Sequence, residues 1–261
     1  MKLGRLYWIL KEQVGVDVKK LFSIYRFFFF YRDLNLFKKS SKNEIIELMP
    51  CLHDRFDASG SIEDEYFWQD LFVAQCIYNK NPVKHFDVGS RLDGFVAHVA
   101  SFRHLDVFDI RPLNKKIPNV NFLQCDITDL ENKYYNITDS LSCLHTFEHF
   151  GLGRYGDKID SEAPQLALRN LVNLLKDDGF FYISTPIGRK RVLFNAHRIS
   201  SFSEFLSSAK KLNLTLIDLA YKVPGKDFVT NVSIDEKSLI DTFSDIEYSL
   251  VIFIFKKTIK I

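Results

Sequence analysis

The sequence predicts an α/β protein built on a doubly wound, mostly parallel sheet. Three observations carry that expectation. A short apolar run over residues 83–88 ends in a glycine turn at Gly89 and leads into helix-like sequence over residues 95–102. A second apolar run closes on Asp109, twenty residues after Gly89. From there strand-like and helix-like stretches alternate until two strand-like runs end the chain. Alternation of this kind places helices on both faces of a parallel sheet.

Residues 1–60 read as a helical extension and residues 61–261 as the main domain. Residues 1–42 hold ten Lys/Arg and three Asp/Glu, a surplus of +7, whereas the rest holds 25 and 30, a balance of −5. Val18, Leu21, Phe22, Tyr25 and Phe29 follow helical spacing in that basic segment. Such a helix either caps the main domain or makes a weak contact with an anionic membrane face. The phenylalanine run over residues 27–30 spreads around the helix and favours the cap. The acidic balance of the main domain argues against nucleic acid as a partner.

In the main domain strands are expected over residues 83–88, 107–109, 121–126, 139–144, 180–185, 214–221 and 248–255. Helices are expected over 95–102, 163–176 and 203–211. Asp177, Asp178 and Gly179 form the turn before the fifth strand, and Pro186 ends that strand. An apolar content of 46% supplies the core. Cys51, Cys76, Cys125 and Cys143 show no metal-ligand spacing, and the last three sit in apolar runs. With no secretory leader and no apolar run approaching about 18 residues, a reducing cytoplasm is the expected setting. The glycosylation-like triplets at Asn136, Asn213 and Asn231 are then coincidental.

The turn after the first strand carries the cofactor chemistry. Strand, glycine turn, helix, strand and terminal acid describe a site for an adenosine-containing cofactor. Gly89 permits the tight turn, the next helix offers free N–H groups, and Asp109 can accept both ribose hydroxyls. Gly89 and Gly94 occupy the outer positions of G-x-G-x-x-G, but Arg91 stands in the middle. A glycine there normally lets a pyrophosphate approach the backbone. A side chain argues instead for a cofactor without phosphates, and S-adenosylmethionine (SAM) fits that description.

The order of these elements resembles the class I SAM-dependent methyltransferases over roughly residues 62–257. The resemblance implies a seven-stranded Rossmann-like sheet with an antiparallel last strand. Narrower motifs are Phe86-Asp-Val-Gly-Ser-Arg-Leu-Asp-Gly-Phe-Val-Ala-His98, Phe108-Asp-Ile-Arg-Pro112 and Leu144-His-Thr-Phe-Glu-His-Phe-Gly-Leu-Gly-Arg-Tyr-Gly-Asp157. They resemble a bacterial family long catalogued as of unknown function, whose members tend to occur with surface-polysaccharide assembly genes. On the superfamily pattern, Asp87, Gly89, Ser90 and Arg91 would surround the methionine part of SAM. Asp109 with Ile110 would hold the ribose, and Asp126 with Ile127 the adenine. Of the pattern D/E-x-G-x-G-x-G, Asp87 and Gly89 match, while Arg91 and Asp93 replace the later glycines. Arg91 can pair with the SAM carboxylate or face an anionic acceptor, and Asp126 can equally be a helix N-cap.

In open α/β sheets ligands bind at the carboxyl ends of the strands. After the fourth strand come His145, Glu148, His149, Arg154, Tyr155 and Asp157, and after the fifth come Arg189, Arg191, Asn195, His197 and Arg198. Arginine forks suit phosphate and carboxylate. The acceptor is therefore expected to be a small anion: a phosphorylated or nucleotide-linked sugar, or a phosphate or phosphoramidate group. Arg154, Tyr155, Arg189, Asn195, His197 and Arg198 would meet it, unless the arginines only pair with nearby acids. A hydroxyl acceptor benefits from a base, with His149 placed first, His145 second and Glu148 beside them. This reading uses no metal. His145-x-x-Glu148-His149 is also the H-x-x-E-H signature of inverted zinc peptidases, which would make the chain a zinc-dependent hydrolase. Three glycines within seven residues of His149 work against the long helix that signature needs. A SAM-binding scaffold without catalysis is the third reading.

Overall fold

The computed structural model describes residues 3–17, 24–40, 44–52, 54–56, 62 and 64–259. Two compact units divide the chain, Met1–Ser61 and Ile62–Ile261. The first holds helix α1 (Leu3–Glu12) and helix α2 (Phe27–Ser40). The helix expected around Val18, Leu21 and Phe22 lies outside the described residues. Tyr25 belongs to a 3-10 turn, Ile24–Arg26, and Phe29 to α2. No residue of α2 is buried. Its Phe29 ring meets Phe56 edge to face at 5.5 Å, and Arg26 lies over the same Phe56 ring at 4.9 Å.

The second unit opens with helix α3 (Glu65–Lys80). Asp64 caps its first turn by accepting the Tyr66 N–H at 3.0 Å, and Asn81, left-handed at φ 46°, ends it. Strand β1 (His85–Val88) follows, then a π-turn over Leu92–Val96 that runs into the short helix α4 (Ala97–Ala100). Next come β2 (Leu105–Asp109), β3 (Val120–Gln124) and β4 (Thr138–Leu144). Helix α5 (Ala163–Leu174) leads into β5 (Leu175–Ile187), which is followed by β6 (Arg191–Leu193) and β7 (His197–Ile199). The chain ends through helix α6 (Phe202–Lys211), β8 (Leu214–Lys222), β9 (Phe228–Val229), helix α7 (Glu236–Ser244) and β10 (Ser249–Lys257).

The main sheet has eight strands in the order β3-β2-β1-β4-β5-β10-β8-β9. β1 to β5 pair in parallel, and β10 lies between β5 and β8, antiparallel to both. The two faces alternate along each strand. In β10, Ile252 and Ile254 join Val73 and Ile77 of α3 and Val99 of α4 in one core. Val251, Phe253 and Phe255 join Leu171 of α5, Phe205 of α6 and Phe243 of α7 in the other. This is the mostly parallel Rossmann-like sheet with an antiparallel last strand that the sequence predicts.

Two details differ. The two-residue edge strand β9 makes eight strands instead of seven, and too short a segment carries no periodic signal. β6 and β7 form a separate hairpin where only a polar loop is expected. No helix among the described residues is long and apolar enough to cross a membrane.

Candidate functional site

The carboxyl ends of β1, β2 and β4 open onto a cleft with about 930 Å³ of empty volume. Its floor is the turn after β1. Gly89 is left-handed at φ 73°, and a Cβ there would collide with the Thr146 side chain. Thr146 Oγ1 donates to the Gly89 carbonyl at 2.8 Å, so the turn after β1 and the loop after β4 are tied at their closest approach. Asp87 does not reach the cleft. It is fully buried and accepts from Ser142 Oγ at 2.5 Å, Ser90 Oγ at 2.6 Å and Ser90 N–H at 3.1 Å. Burial pushes its carboxyl up to about 7. Ser90 is buried too, accepting the Leu144 N–H at 3.1 Å. Both residues shape the turn from beneath and leave its lining to Gly89 and Arg91. Gly94, the other matched glycine, faces α3, where a Cβ would strike the Asp70 carboxylate. It serves helix packing.

Asp109 and Ile110 at the end of β2, and Asp126 and Ile127 after β3, line the cleft. Asp126 is the N-cap of a 3-10 turn, accepting the Thr128 N–H at 2.8 Å and Thr128 Oγ1 at 2.7 Å, both on Oδ1. Asp109 is 7% exposed and held by Arg111: the N–H and Nε donate to Oδ1 at 2.8 and 2.9 Å, and Nη2 donates to Oδ2 at 2.6 Å. Arg91 lines the cleft but spends its fork on Asp93, at 3.2 and 3.1 Å, and stacks on Tyr66 at 5.0 Å.

The loop after β4 holds two histidines in opposite states. His145 is left-handed at φ 52° and buried. Its Nδ1 lies 2.5 Å from Glu148 Oε1 and its Nε2 lies 3.0 Å from Glu65 Oε1. Burial works against its charge, but Glu148 and Glu65 outweigh burial and raise its pKa to about 10. His145 is therefore an imidazolium at neutral pH, with both nitrogens occupied. The expectation of a base at this position is corrected: it has no lone pair to offer. His149 is 7% exposed and lines the cleft. Its Nδ1–H donates to the Ala196 carbonyl at 2.7 Å, and burial lowers its pKa despite Glu148. It is neutral, with the lone pair on Nε2, which lies 3.8 Å from Glu148 Oε1. Glu148 is 2% exposed; burial opposes its charge, but His145 holds its pKa below the usual range, and its Oε2 lacks a hydrogen-bond partner.

The arginines expected to read an anionic acceptor face other partners, and of the three only Arg189 meets an acid. Arg154 Nη1 donates to the Ala196 carbonyl at 3.0 Å, and Arg198 Nη1 donates to the Phe150 carbonyl. Arg189 is exposed and meets Glu247 at 3.6 Å. Asn195 is the exposed, left-handed tip of the β6–β7 hairpin, and His197 packs on Tyr248 with ring centres 6.3 Å apart. None of these five lines the cleft, whereas Tyr155 does. The hairpin contributes a backbone atom instead, the Ala196 carbonyl that fixes His149. Arg111, Lys158, Tyr66 and Thr146 also line the cleft, beyond the expected site residues. Arg111 carried a signal, two residues past the strand-end acid; the others depend on long-range placement.

The zinc-peptidase reading needs His145 and His149 on one face of a helix. The structure has a single 3-10 turn, Phe147–His149, and turns His145 onto two carboxylates. Among the described residues no group of three His, Cys, Asp or Glu side chains is arranged to hold a metal ion.

Residues 108–205 match a family described as Caenorhabditis protein of unknown function, DUF268. No curated protein matches the sequence. Solved structures share the fold at low identity. The 1,6-didemethyltoxoflavin-N1-methyltransferase of Burkholderia thailandensis, with 1,6-didemethyltoxoflavin and S-adenosylhomocysteine bound, is 15% identical, with 74% of this chain and 80% of that one covered at a TM-score of 0.50. The N-methyltransferase NodS of Bradyrhizobium japonicum WM9, bound to S-adenosylhomocysteine, is 12% identical, with 75% and 89% covered at 0.51. The [4+2]-cyclase SpnF is 13% identical, with 72% and 82% covered at 0.51. The chain therefore has the Rossmann-like methyltransferase fold. A cyclase among these structures shows that the fold alone does not name the reaction.

Proposed function

We propose that the chain is a SAM-dependent methyltransferase acting on an oxygen of a small acceptor. The observation that carries this reading is the lining of the cleft: a glycine turn closed by Thr146, a strand-end acid in Asp109, a second acid in Asp126, and a neutral, backbone-oriented His149. The chemistry of that set fits the cofactor. Asp109 suits a pair of ribose hydroxyls, and Asp126 keeps Oδ2 clear of its cap bonds for an amino group. The two neighbouring methyltransferases with S-adenosylhomocysteine bound support the same assignment by analogy. Bound there, SAM would supply a methyl group from a sulfonium that is already a good leaving group.

The chain's own contribution is alignment and proton transfer. His149 takes the acceptor's hydroxyl proton at Nε2, and Glu148 Oε1, 3.8 Å away, steadies the imidazolium so formed. Ala196 holds the ring in the tautomer this needs. His145 acts as the fixed counter-charge that keeps Glu148 ionised. An anionic acceptor is supported by Lys158, which lines the cleft and makes no ion pair among the described residues, and not by Arg154, Arg189 or Arg198. The carbohydrate class and a place in surface-polysaccharide assembly rest on motif resemblance alone. A membrane-surface contact of residues 1–42 rests on their charge surplus. Incubation with methyl-labelled SAM and a panel of phosphorylated and nucleotide-linked sugars tests the reading. We expect label on one class of them, lost in Asp109→Ala. Labelling only of neutral amines would overturn the oxygen and anion assignments.

A further inference from the structure

Asp109 offers the cofactor a carboxylate that is already taken. An ionised carboxylate has about four lone-pair sites. Arg111 fills three of them: two on Oδ1, through its N–H and Nε, and one on Oδ2, through Nη2. A ribose with two neighbouring hydroxyls needs an acceptor on each oxygen, so it cannot be held fully while the guanidinium fork is in place. The same guanidinium lies over the Tyr155 ring at 4.7 Å. Tyr155 belongs to the loop after β4 and packs edge-on against His149, with ring centres 5.4 Å apart. Arg111 thus spans the cleft, one side on the cofactor acid and one face on the acceptor loop. Its side chain is 50% exposed, so no packing obliges it to stay on Asp109.

We infer that Arg111 is a latch displaced by the cofactor: ribose hydroxyls replace it on Asp109, and the released guanidinium, still stacked on Tyr155, becomes an anion-binding group for the acceptor half of the cleft. The inference rests on the SAM reading and deepens it. Cofactor binding comes first because it creates the cation that the acceptor meets. The two ligands then help each other, and the coupling is reciprocal. The spacing of acid and arginine on one strand end makes the exchange local, since only a side-chain rotation separates the two states.

Titration calorimetry of the full chain with S-adenosylhomocysteine, with and without inorganic phosphate at constant ionic strength, tests this. For Arg111→Gln we expect binding about three- to tenfold tighter than wild type, because a partly exposed competitor is gone. Phosphate should tighten wild-type binding about two- to fivefold and leave Arg111→Gln unchanged, as linkage requires. Arg111→Lys, which keeps charge but not the fork, should also bind tighter while keeping part of the phosphate effect. Weaker or equal binding in Arg111→Gln, with wild-type melting behaviour, overturns the latch and makes Arg111 a support for Asp109. A wild type indifferent to phosphate overturns the anion site. No binding by the wild type at all sinks the cofactor reading itself, a separate result.

Discussion

The two walls of the cleft are made by different means. On the wall formed by β2 and β3, each acid sits at or just past a strand end, and a residue two positions on holds it: Arg111 for Asp109, Thr128 for Asp126. On the wall formed by the loop after β4, each histidine also needs a partner far along the chain. Glu65 holds His145 from 80 residues away, and Ala196 holds His149 from 47 residues away. The consequence is chemical. Two histidines four positions apart, alike in sequence, become a fixed cation and a neutral base. Local sequence can announce a turn and an acid, but the protonation state of a side chain belongs to its partners in space.

The largest expected effect separates the walls by role. His149→Ala should lower kcat by about 10²–10⁴-fold, the range for loss of a positioned general base. It should leave the affinity for S-adenosylhomocysteine nearly unchanged if the proposed role of His149, proton transfer from the acceptor, is its whole role. Initial-rate kinetics with the best acceptor of the panel, beside calorimetry, gives both numbers. A near-normal kcat with a hydroxyl acceptor breaks the assignment. An acceptor oxygen that is already anionic would reduce the effect to a positioning loss, and the acceptor's own pKa tells these cases apart.

The comparison also explains how much was legible in the sequence. The strand over residues 248–255, the glycine turn and the positions of the acids closing β2 and following β3 are carried by apolar runs and by residues with few conformational uses. Their places in the fold are legible because a buried strand and the positive φ of Gly89 constrain local sequence directly. Gly94 was legible as a required glycine but not as a packing device against Asp70. The hairpin β6–β7 was unreadable because its strands are three residues each, too short for alternation to show. Its contribution is also a carbonyl, which every residue has. The arginines are hard to place from sequence for a related reason. Arg154 and Arg198 spend their donors on backbone carbonyls of other loops, and composition does not distinguish a donor aimed at a ligand from one aimed at a carbonyl.

A smaller effect sharpens the contrast between the histidines. The folded pKa of His145 is raised to about 10 from 6.5. A raised pKa means protonation favours the folded state, so its contribution is complete below about pH 6.5 and fades as pH climbs towards 10. Melting temperature should therefore fall over that range more steeply in the wild type than in His145→Gln. The variant should be less stable at pH 7, by about 3–5 kcal/mol, since Glu148 and Glu65 lose their shared cation. His149→Gln should leave the alkaline slope unaltered, because a histidine already neutral at pH 7 has no proton to lose above it. Parallel wild-type and His145→Gln melting curves from pH 7 to 10 would show that His145 is not the fixed cation.

The smallest expected effect sets a cation lining the cleft against one outside it. Lys158 lines the cleft, carries no ion pair among the described residues and lies on an exposed stretch of the loop. A lysine in that setting contributes a point charge to an incoming anion, screened by solvent and worth about 0.5–1 kcal/mol. Lys158→Ala should therefore raise the acceptor KM about two- to fivefold, with kcat and cofactor affinity held. Arg189 carries the same charge on a side chain that is 79% exposed and faces Glu247 at 3.6 Å. Its removal deletes a surface pair and nothing that the acceptor meets, so Arg189→Ala should stay within twofold of wild type in every constant. The pair is informative because both variants lose one positive charge. A long-range field would make them alike, whereas a contact at the cleft moves only Lys158. Equal KM changes would mean that the acceptor senses the net charge of the domain. A large change in Arg189→Ala alone would mean that the acceptor leaves the cleft along the β6–β7 hairpin, past the wall described here.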